Sequence, residues 1–438
     1  MRRVLMASWL FPPHRSIGAK RAWRFAKHLP SFGWSPTVVC RRVPPPGALD
    51  TSPWALPPSV TVSPTYDAAW VSALADRAAR LFPPSTGRAE PAQGPLRRTF
   101  AQRLSERWDL LVDALVPTET AALHAPHLSR VLDGMAPSHD VLWSTSYPYS
   151  SHLACLPVAR RHGLPLVVDL RDPWTPNWVH ARKFPHARWL ERRAERAVFR
   201  DAAAVVVTTE TLAERYRALF PALAGKFVAL HNCYDDAPEA PPPAPLARRT
   251  FVHFGNVYGP WSLATPLRAL ARLRARRSLG PGDVRLVNLG KLSDRDRALA
   301  ASLGLEDLVT VLPPEPYARG LARLRAADLL LLAAWDQPDA GLYLQGKLYD
   351  YLLAARPILA EGREPELGSI LTRTGAGTLV PPNAVDAAVA ALEAALDGAE
   401  DAPGRVPEAV AYFSAREATG RLGAVLDAVR EGRAPCPS

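Results

Sequence analysis

Cysteine is scarce in this chain: four occur among 438 residues, and none of Cys40, Cys155, Cys233 and Cys436 stands in a Cys-x-x-Cys pair. No histidine cluster accompanies them at metal-ligand spacing, so neither a structural zinc site nor a disulfide framework is expected. Free thiols suit a reducing cytoplasm. Runs of about 18 apolar residues are also missing, which excludes a membrane-spanning helix of ordinary length. The opening Met1-Arg2-Arg3-Val4-Leu5-Met6 is short and is soon followed by Pro12-Pro13-His14-Arg15, with no evident cleavage site. It is better read as a first β-strand than as a signal peptide. Long basic runs are absent too. The formal net charge of +11 suits a polyanionic partner. The arginines are scattered, however, without aromatic interleaving, and nucleic acid is not expected as a partner.

What the chain does have is alternation. Short continuous apolar runs, such as Val4–Trp9, Val141–Ser146, Leu166–Leu170 and Ala204–Thr209, are separated by helical patterns such as Ala22–Leu29 and Arg188–Phe199. Continuous runs indicate strands covered on both faces, as in a parallel sheet. The segment Ala237–Pro245 holds five prolines in nine residues and is the clearest linker. A second series follows it: Phe251–Gly255, Arg285–Gly290, Val309–Leu312, Leu329–Trp335, Pro357–Ala360 and Thr378–Val380. The expected fold is α/β, with two doubly wound domains. The basic stretch Leu96–Trp108 sets arginines beside Phe100, Leu104 and Trp108 at helical spacing, as a membrane-surface helix or an ordinary packed one.

Five segments carry candidate chemistry. In Gly346–Ala360, Lys347 and Asp350 share one face of a short helix, three residues apart. A helix N-terminus favours an anion such as a diphosphate, and a nearby carboxylate suits ribose hydroxyls. The alternative is an amphipathic helix with Leu348, Tyr351 and Leu352 in the core and two solvated charges. In Phe11–Arg21, Gly18 lets backbone approach a ligand where a parallel strand ends. In Val168–Trp174, Arg171 can fork onto a phosphate or carboxylate with Asp172 orienting it, or the two form a structural ion pair. In Asp140–His152, Ser150 or Ser151 serves as an N-cap and His152 sits on a helix surface. Phe251–Gly259 ends in Gly255-Asn256, a loop suited to phosphate approach.

Taken in order, these residues resemble GT-B-fold glycosyltransferases similar to glycosyltransferase family 4, of the bacterial surface-polysaccharide kind. The motifs are Pro12-Pro13 with Gly18 and Arg21, Asp169-x-Arg171-Asp172-x-Trp174, Asn232 with Asp235, Phe254-Gly255-x-x-Tyr258, and Gly346-Lys347-Leu348-Tyr349-Asp350-Tyr351 with Arg356-Pro357. The resemblance implies two facing Rossmann-like domains. Residues 1–236 would bind the acceptor, with an irregular insertion at about 41–108. Residues 237–249 would be the linker, 250–404 would hold the nucleotide sugar, and a helix in 405–438, beyond Tyr412-Phe413-Ser414, would cross back. It implies a retaining, metal-independent transferase of the hexosyl or N-acetylhexosaminyl class that uses a UDP- or GDP-linked sugar and no other cofactor.

By the same resemblance, Arg171, Asp172 and Asp169 would face the reacting centre. Gly18, Gly255, Asn256, Gly346, Lys347, Tyr349 and Asp350 would bind the donor. The acceptor would be a glycan or a polyprenyl-diphosphate-linked glycan, at the inner face of an anionic membrane. Two departures stand out. Leu342 occupies the position of a family glutamate, a contact that is missing or comes from Asp339. The loop Tyr258-Gly259-Pro260-Trp261-Ser262 also lacks the usual cation. An epimerase on the same fold, with His14, His152 and His231 as acid/base candidates, and a binding scaffold are the competing readings.

Overall fold

The computed structural model describes residues 1–14, 17–42, 54–68, 71, 119–181, 183–236, 240–259, 261–335, 340–398 and 404–435. The helix read at Leu96–Trp108, Asp339 and Cys436 lie outside the described residues, as does most of the expected insertion.

Strands β1 (Arg2–Ser8), β2 (Trp34–Cys40), β3 (Thr61–Ser63), β4 (Val141–Thr145), β5 (Leu166–Leu170), β6 (Ala204–Val207) and β7 (Phe227–Ala229) form one parallel sheet in the order β3-β2-β1-β4-β5-β6-β7. Every residue of β4, β5 and β6 is buried, as their continuous apolar runs require. Strands β8 (Arg249–Phe254), β9 (Trp261–Ser262), β10 (Val284–Leu289), β11 (Val309–Leu312), β12 (Leu329–Leu332), β13 (Ala334–Trp335), β14 (Ile358–Glu361) and β15 (Gly377–Val380) follow. Six of them make a second parallel sheet, β11-β10-β8-β12-β14-β15. The run expected as one strand over Leu329–Trp335 breaks at Ala333, and its last two residues pair antiparallel with β9. Thr61–Ser63, inside a stretch read as irregular, adds an edge strand to the first sheet.

The helices that position the site are α1 (Ile17–His28), α2 (Ser150–His162), α3 (Pro185–Asp201), α4 (Glu210–Leu219), α5 (Tyr317–Arg325), α6 (Lys347–Ala354), α7 (Pro365–Thr374) and α8 (Ala415–Arg430). The apolar face of α8 (Ala418, Leu422, Val425, Leu426) packs into the core of the first sheet with Val4, Met6 and Phe25. The last helix therefore belongs to the first lobe's core, although it follows the second lobe in sequence. Where the chain returns, Ser414 bridges Tyr234: Tyr234 N–H donates to Phe413 O (3.0 Å) and Ala415 N–H donates to Tyr234 O (2.6 Å).

In both sheets the strand order reverses at the first strand, β1 between β2 and β4, and β8 between β10 and β12. Doubly wound sheets open their ligand crevice at such points, beyond the carboxyl ends of the strands.

Candidate active site

On the first lobe, Gly18 is the second residue of α1, the helix that follows β1 after an eight-residue connection. A Cβ there would lie 2.0 Å from Nη1 of Arg171, so the guanidinium rests on bare backbone. Arg171 is anchored at its other end. Its Nε donates to Ser146 O, its N–H to Ser146 Oγ (3.2 Å), and its carbonyl accepts from Thr208 Oγ1 (3.0 Å). The expected alternative, a direct Arg171–Asp172 pair, is not formed. Burial lowers the Arg171 pKa, against the pull of Asp172 and Asp169. Asp172 is exposed, and desolvation raises its carboxyl pKa despite Arg171. Its charge reaches Tyr258 of the second lobe, whose phenol is raised first by burial and then by Asp172.

Asp169, expected at the reacting centre, is instead 0% exposed. Arg21 grips it through Nε (3.1 Å to each oxygen) and Nη2 (2.8 Å), and Thr145 Oγ1 donates to it at 2.7 Å. The remaining Arg21 donors reach Leu230 O, His231 O and Asn232 Oδ1. This buried fork ties α1 to the sheet and offers a substrate no surface. His152 is likewise no surface residue. It is fully buried, its Nδ1 pairs with Ser144 Oγ at 2.7 Å, and burial depresses its pKa to about 3 against the pull of Asp169. Neither Ser150 nor Ser151 is the N-cap of α2; that position is Tyr149.

On the second lobe, Lys347 opens α6 after Gly346, which makes no side-chain cap. Its ammonium lies 3.5 Å from where a Cβ of Gly255 would be, and Gly255 has φ +108°. Only glycine takes that conformation readily, and the bare backbone leaves room beside the cation. Lys347 Nζ donates to His253 Nε2 (2.9 Å), and His253 Nδ1 donates to Asn288 Oδ1 (2.7 Å). Asn288 is fixed in turn through Nδ2 on Gly290 O (2.8 Å). Desolvation pulls the Lys347 pKa down to about 7. Burial, and then the Lys347 charge, hold His253 well below its ordinary value and therefore neutral. Asn256 braces the same corner by accepting from Lys291 N–H (2.8 Å). Gly18 with Arg171, and Gly255 with Lys347, are the pairs that the fold brings together.

Two expected donor contacts are placed elsewhere. Tyr349 is 0% exposed, packed 5.7 Å from Phe413 in the core. Asp350, at 2% exposure, bridges the lobes: Tyr317 Oη donates to it (2.7 Å), and Arg24 (3.5 Å) and Lys20 (3.7 Å) of α1 pair with it. Any ribose contact must share that carboxylate with first-lobe cations. Leu342 packs against the first lobe's core.

A second bridge was not anticipated. Glu366 of α7 accepts from the N–H groups of Glu210 (2.8 Å) and Thr211 (2.9 Å) at the start of α4, and from His231 Nε2 (2.7 Å). Burial pushes its carboxyl up, but these donors outweigh burial and hold it at about 2. The signal for His253 and Asn288 was a polar side chain near the end of an otherwise apolar strand. Glu366, Lys20 and Arg24 carried no local signal, because their partners are remote in sequence.

Residues 18–233 match the family described as glycosyl transferase 4-like domain. The chain has the GT-B fold, and its first lobe is similar to that domain over those residues. No curated protein matches it in sequence. Among solved structures it resembles Anabaena HepE in complex with UDP and glucose (13% identity, TM-score 0.57), with 98% of this chain and 100% of that chain covered. It also resembles the lipopolysaccharide outer core galactosyltransferase WaaB (13%, TM-score 0.52, 96% and 97% covered) and a UDP-N-acetylglucosamine 2-epimerase (13%, TM-score 0.53, 99% and 97% covered). At this identity the likenesses establish the architecture, two facing α/β lobes, and leave the chemistry to the side chains.

Proposed function

We propose that this GT-B protein is a glycosyltransferase that holds a nucleotide-diphosphate sugar on its second lobe and passes the sugar to an acceptor on the first. The observation that carries this reading is the desolvated Lys347 ammonium beside the bare backbone of Gly255, at the first turn of α6. Such a cation is costly alone and is stabilised by an anion. A UDP- or GDP-linked diphosphate fits that demand, and the binding of UDP by HepE supports it. Gly255, Asn256 and Gly346 shape the approach, and a ribose contact to Asp350 would require it to give up part of its hold on Tyr317, Lys20 and Arg24.

In the reaction the bond from the anomeric carbon to the diphosphate oxygen breaks. Negative charge grows on the leaving group while the sugar becomes oxocarbenium-like. Lys347 and the α6 N-terminus stabilise the former, and Arg171, resting on Gly18, supplies a second cation from the opposite lobe. The acceptor oxygen then bonds to the anomeric carbon, and its proton leaves with the diphosphate. We assign retention of configuration and give a metal no role in this scheme. Asp172 is the crevice-facing carboxylate that orients the acceptor; Asp169 serves by holding Arg21 and hence α1.

The three histidines weighed for an epimerase are engaged elsewhere: His14 with Arg42 O, His152 with Ser144 and His231 with Glu366. That favours transfer over epimerisation. The likeness to WaaB supports a glycan or a polyprenyl-diphosphate-linked acceptor in surface polysaccharide synthesis, reached by a protein resting on the inner face of an anionic membrane. Among the described residues no helix is long and apolar enough to cross one.

Calorimetric titration of UDP and GDP, followed by a turnover screen across nucleotide sugars, tests the reading. One nucleotide should bind, and Lys347→Ala should weaken it at least tenfold. Binding without turnover for any donor and acceptor would leave a scaffold, and no binding of either nucleotide would refute the donor site.

A further inference from the structure

A cavity of about 280 Å³ lies in the first lobe directly after the Arg171–Trp174 turn, walled by Asn177, His180, Arg188, Arg192 and Arg215, with Leu342 of the second lobe on one side. Three guanidinium groups from two helices, α3 and α4, converge there. Among the described residues none of the three makes a side-chain hydrogen bond or an ion pair. Arg160 and Arg200 pair with Asp201, and Arg217 with Glu210. Among the described residues Arg193 and Arg196 of α3 make no ion pair either, so what sets the three apart is their place around one cavity.

The carboxylates on α3 do not neutralise the cluster. Glu191 is taken by His180 Nδ1 and Lys183 Nζ. Glu195 accepts from Thr175 and Tyr216, and burial raises it to about 7 against those hydrogen bonds. A second observation points the same way. His180 is 4% exposed, and its Nε2 is buried with no hydrogen-bond partner. His180 lines the cavity; with its Nδ1–H on Glu191, Nε2 of the neutral ring is an acceptor and would meet a protonated phosphate oxygen.

We propose that this cavity is a second anion site, separate from Lys347, which receives a phosphate or diphosphate group; calling that group part of the acceptor rests on the transferase reading above. Guanidinium forks match phosphate oxygens in pairs, which favours phosphate chemistry over a lone halide or a neutral sugar. The volume falls just below the roughly 300–1,000 Å³ of pockets for drug-sized ligands. It therefore takes a charged group rather than a whole nucleotide sugar, and the remainder of the acceptor extends toward Asp172.

The test uses the full chain. Inorganic pyrophosphate is titrated by calorimetry with whichever of UDP and GDP binds held at saturation, so that the Lys347 site is filled. Wild type is compared with the Arg192→Ala/Arg215→Ala double variant, whose two positions are exposed and unpaired, with the melting temperature as a check on folding. We expect one pyrophosphate per wild-type chain and at least a tenfold weaker Kd in the double variant. Wild type that takes up no pyrophosphate, or a double variant that binds it equally well, overturns the proposal. Failure of both UDP and GDP to bind would sink the donor-site reading instead, and the comparison of the two proteins would still decide the anion site. Farnesyl diphosphate binding more tightly than pyrophosphate would assign the group to a lipid-linked acceptor, and equal binding to a soluble phosphorylated one.

Discussion

Lys347 Nζ donates to Nε2 of His253 across 2.9 Å, and that bond makes the histidine a support for the lysine rather than an acid or base. The ring is locked in one tautomer by Asn288 and cannot easily take a proton beside an ammonium group. His253→Leu should leave Lys347 unaimed and weaken UDP or GDP binding about tenfold, ~1.4 kcal/mol. His253→Gln, which keeps an acceptor, should recover most of it. Titration of the two variants checks this; a leucine variant with wild-type affinity would remove the positioning role.

Donor affinity should depend on pH through Lys347. Its pKa in the free protein is about 7, well under the ordinary 10.5. Above pH 7 the free protein carries a neutral amine, and binding a diphosphate must first recover the proton. Nucleotide Kd should therefore rise with pH above 7, with proton uptake visible as a buffer-dependent heat. The sign for stability is opposite. Between about 7 and 10.5 the unfolded chain binds the extra proton, so this group's penalty is largest below pH 7 and fades as pH rises through that window. Without ligand, Lys347→Met should melt higher than wild type at pH 6, by a margin that shrinks at pH 10.

Gly18 and Arg171 should behave as one unit. A methyl on Gly18 would land on the guanidinium, so Gly18→Ala should displace Arg171 and lower kcat much as Arg171→Ala does. The expected loss is on the order of 10²-fold, as for removal of one transition-state contact. The double variant should be little worse than either single one. Asp169→Asn should differ in kind: it leaves Arg21 buried beside a neutral partner, and its main effect should be a loss of folding stability of roughly 3–5 kcal/mol, as for a broken buried pair, read by denaturant titration. An Asp169→Asn protein that is stable but inactive would return that residue to the reaction.

Glu366 sets how firmly the lobes are joined. Its carboxyl is held at about 2, below the unfolded 4.5. Its contribution is complete above about pH 4.5 and is lost as pH falls toward 2. Glu366→Gln should destabilise by roughly 1–3 kcal/mol at pH 7, the range for a charge-assisted hydrogen bond. Denaturant titrations at pH 7 and pH 4 should show the gap narrowing at the lower value.

The fold was legible because its strands are continuous apolar runs: Leu166–Leu170 is buried throughout and gives the same boundaries in sequence and structure. The sequence also placed Lys347 at a helix start, whereas Gly18 lies in the first turn of α1 and not at the end of β1. Partner choice was not legible. Asp350 looked free because its partners, Lys20 and Arg24, lie on a helix of the other lobe. Asp169 was read together with Arg171, yet Asp169 lies inside β5, where Arg21 of α1 claims its carboxylate, while Arg171 lies past the strand's end. Tyr349 shares its short helix with Lys347 but faces Phe413, whose approach depends on the returning C-terminal segment.

The two passages between the lobes run side by side, joined where Tyr234 meets Ser414. Each lobe is thus tethered to the other by two backbones rather than one. A single proteolytic cut within Pro241–Pro245 would leave the halves fastened through the second backbone, with α8 still seated beneath the first sheet. The molecule carries a spare join at its own waist, so the proline-rich segment can be long and plain without risking separation of the parts it connects.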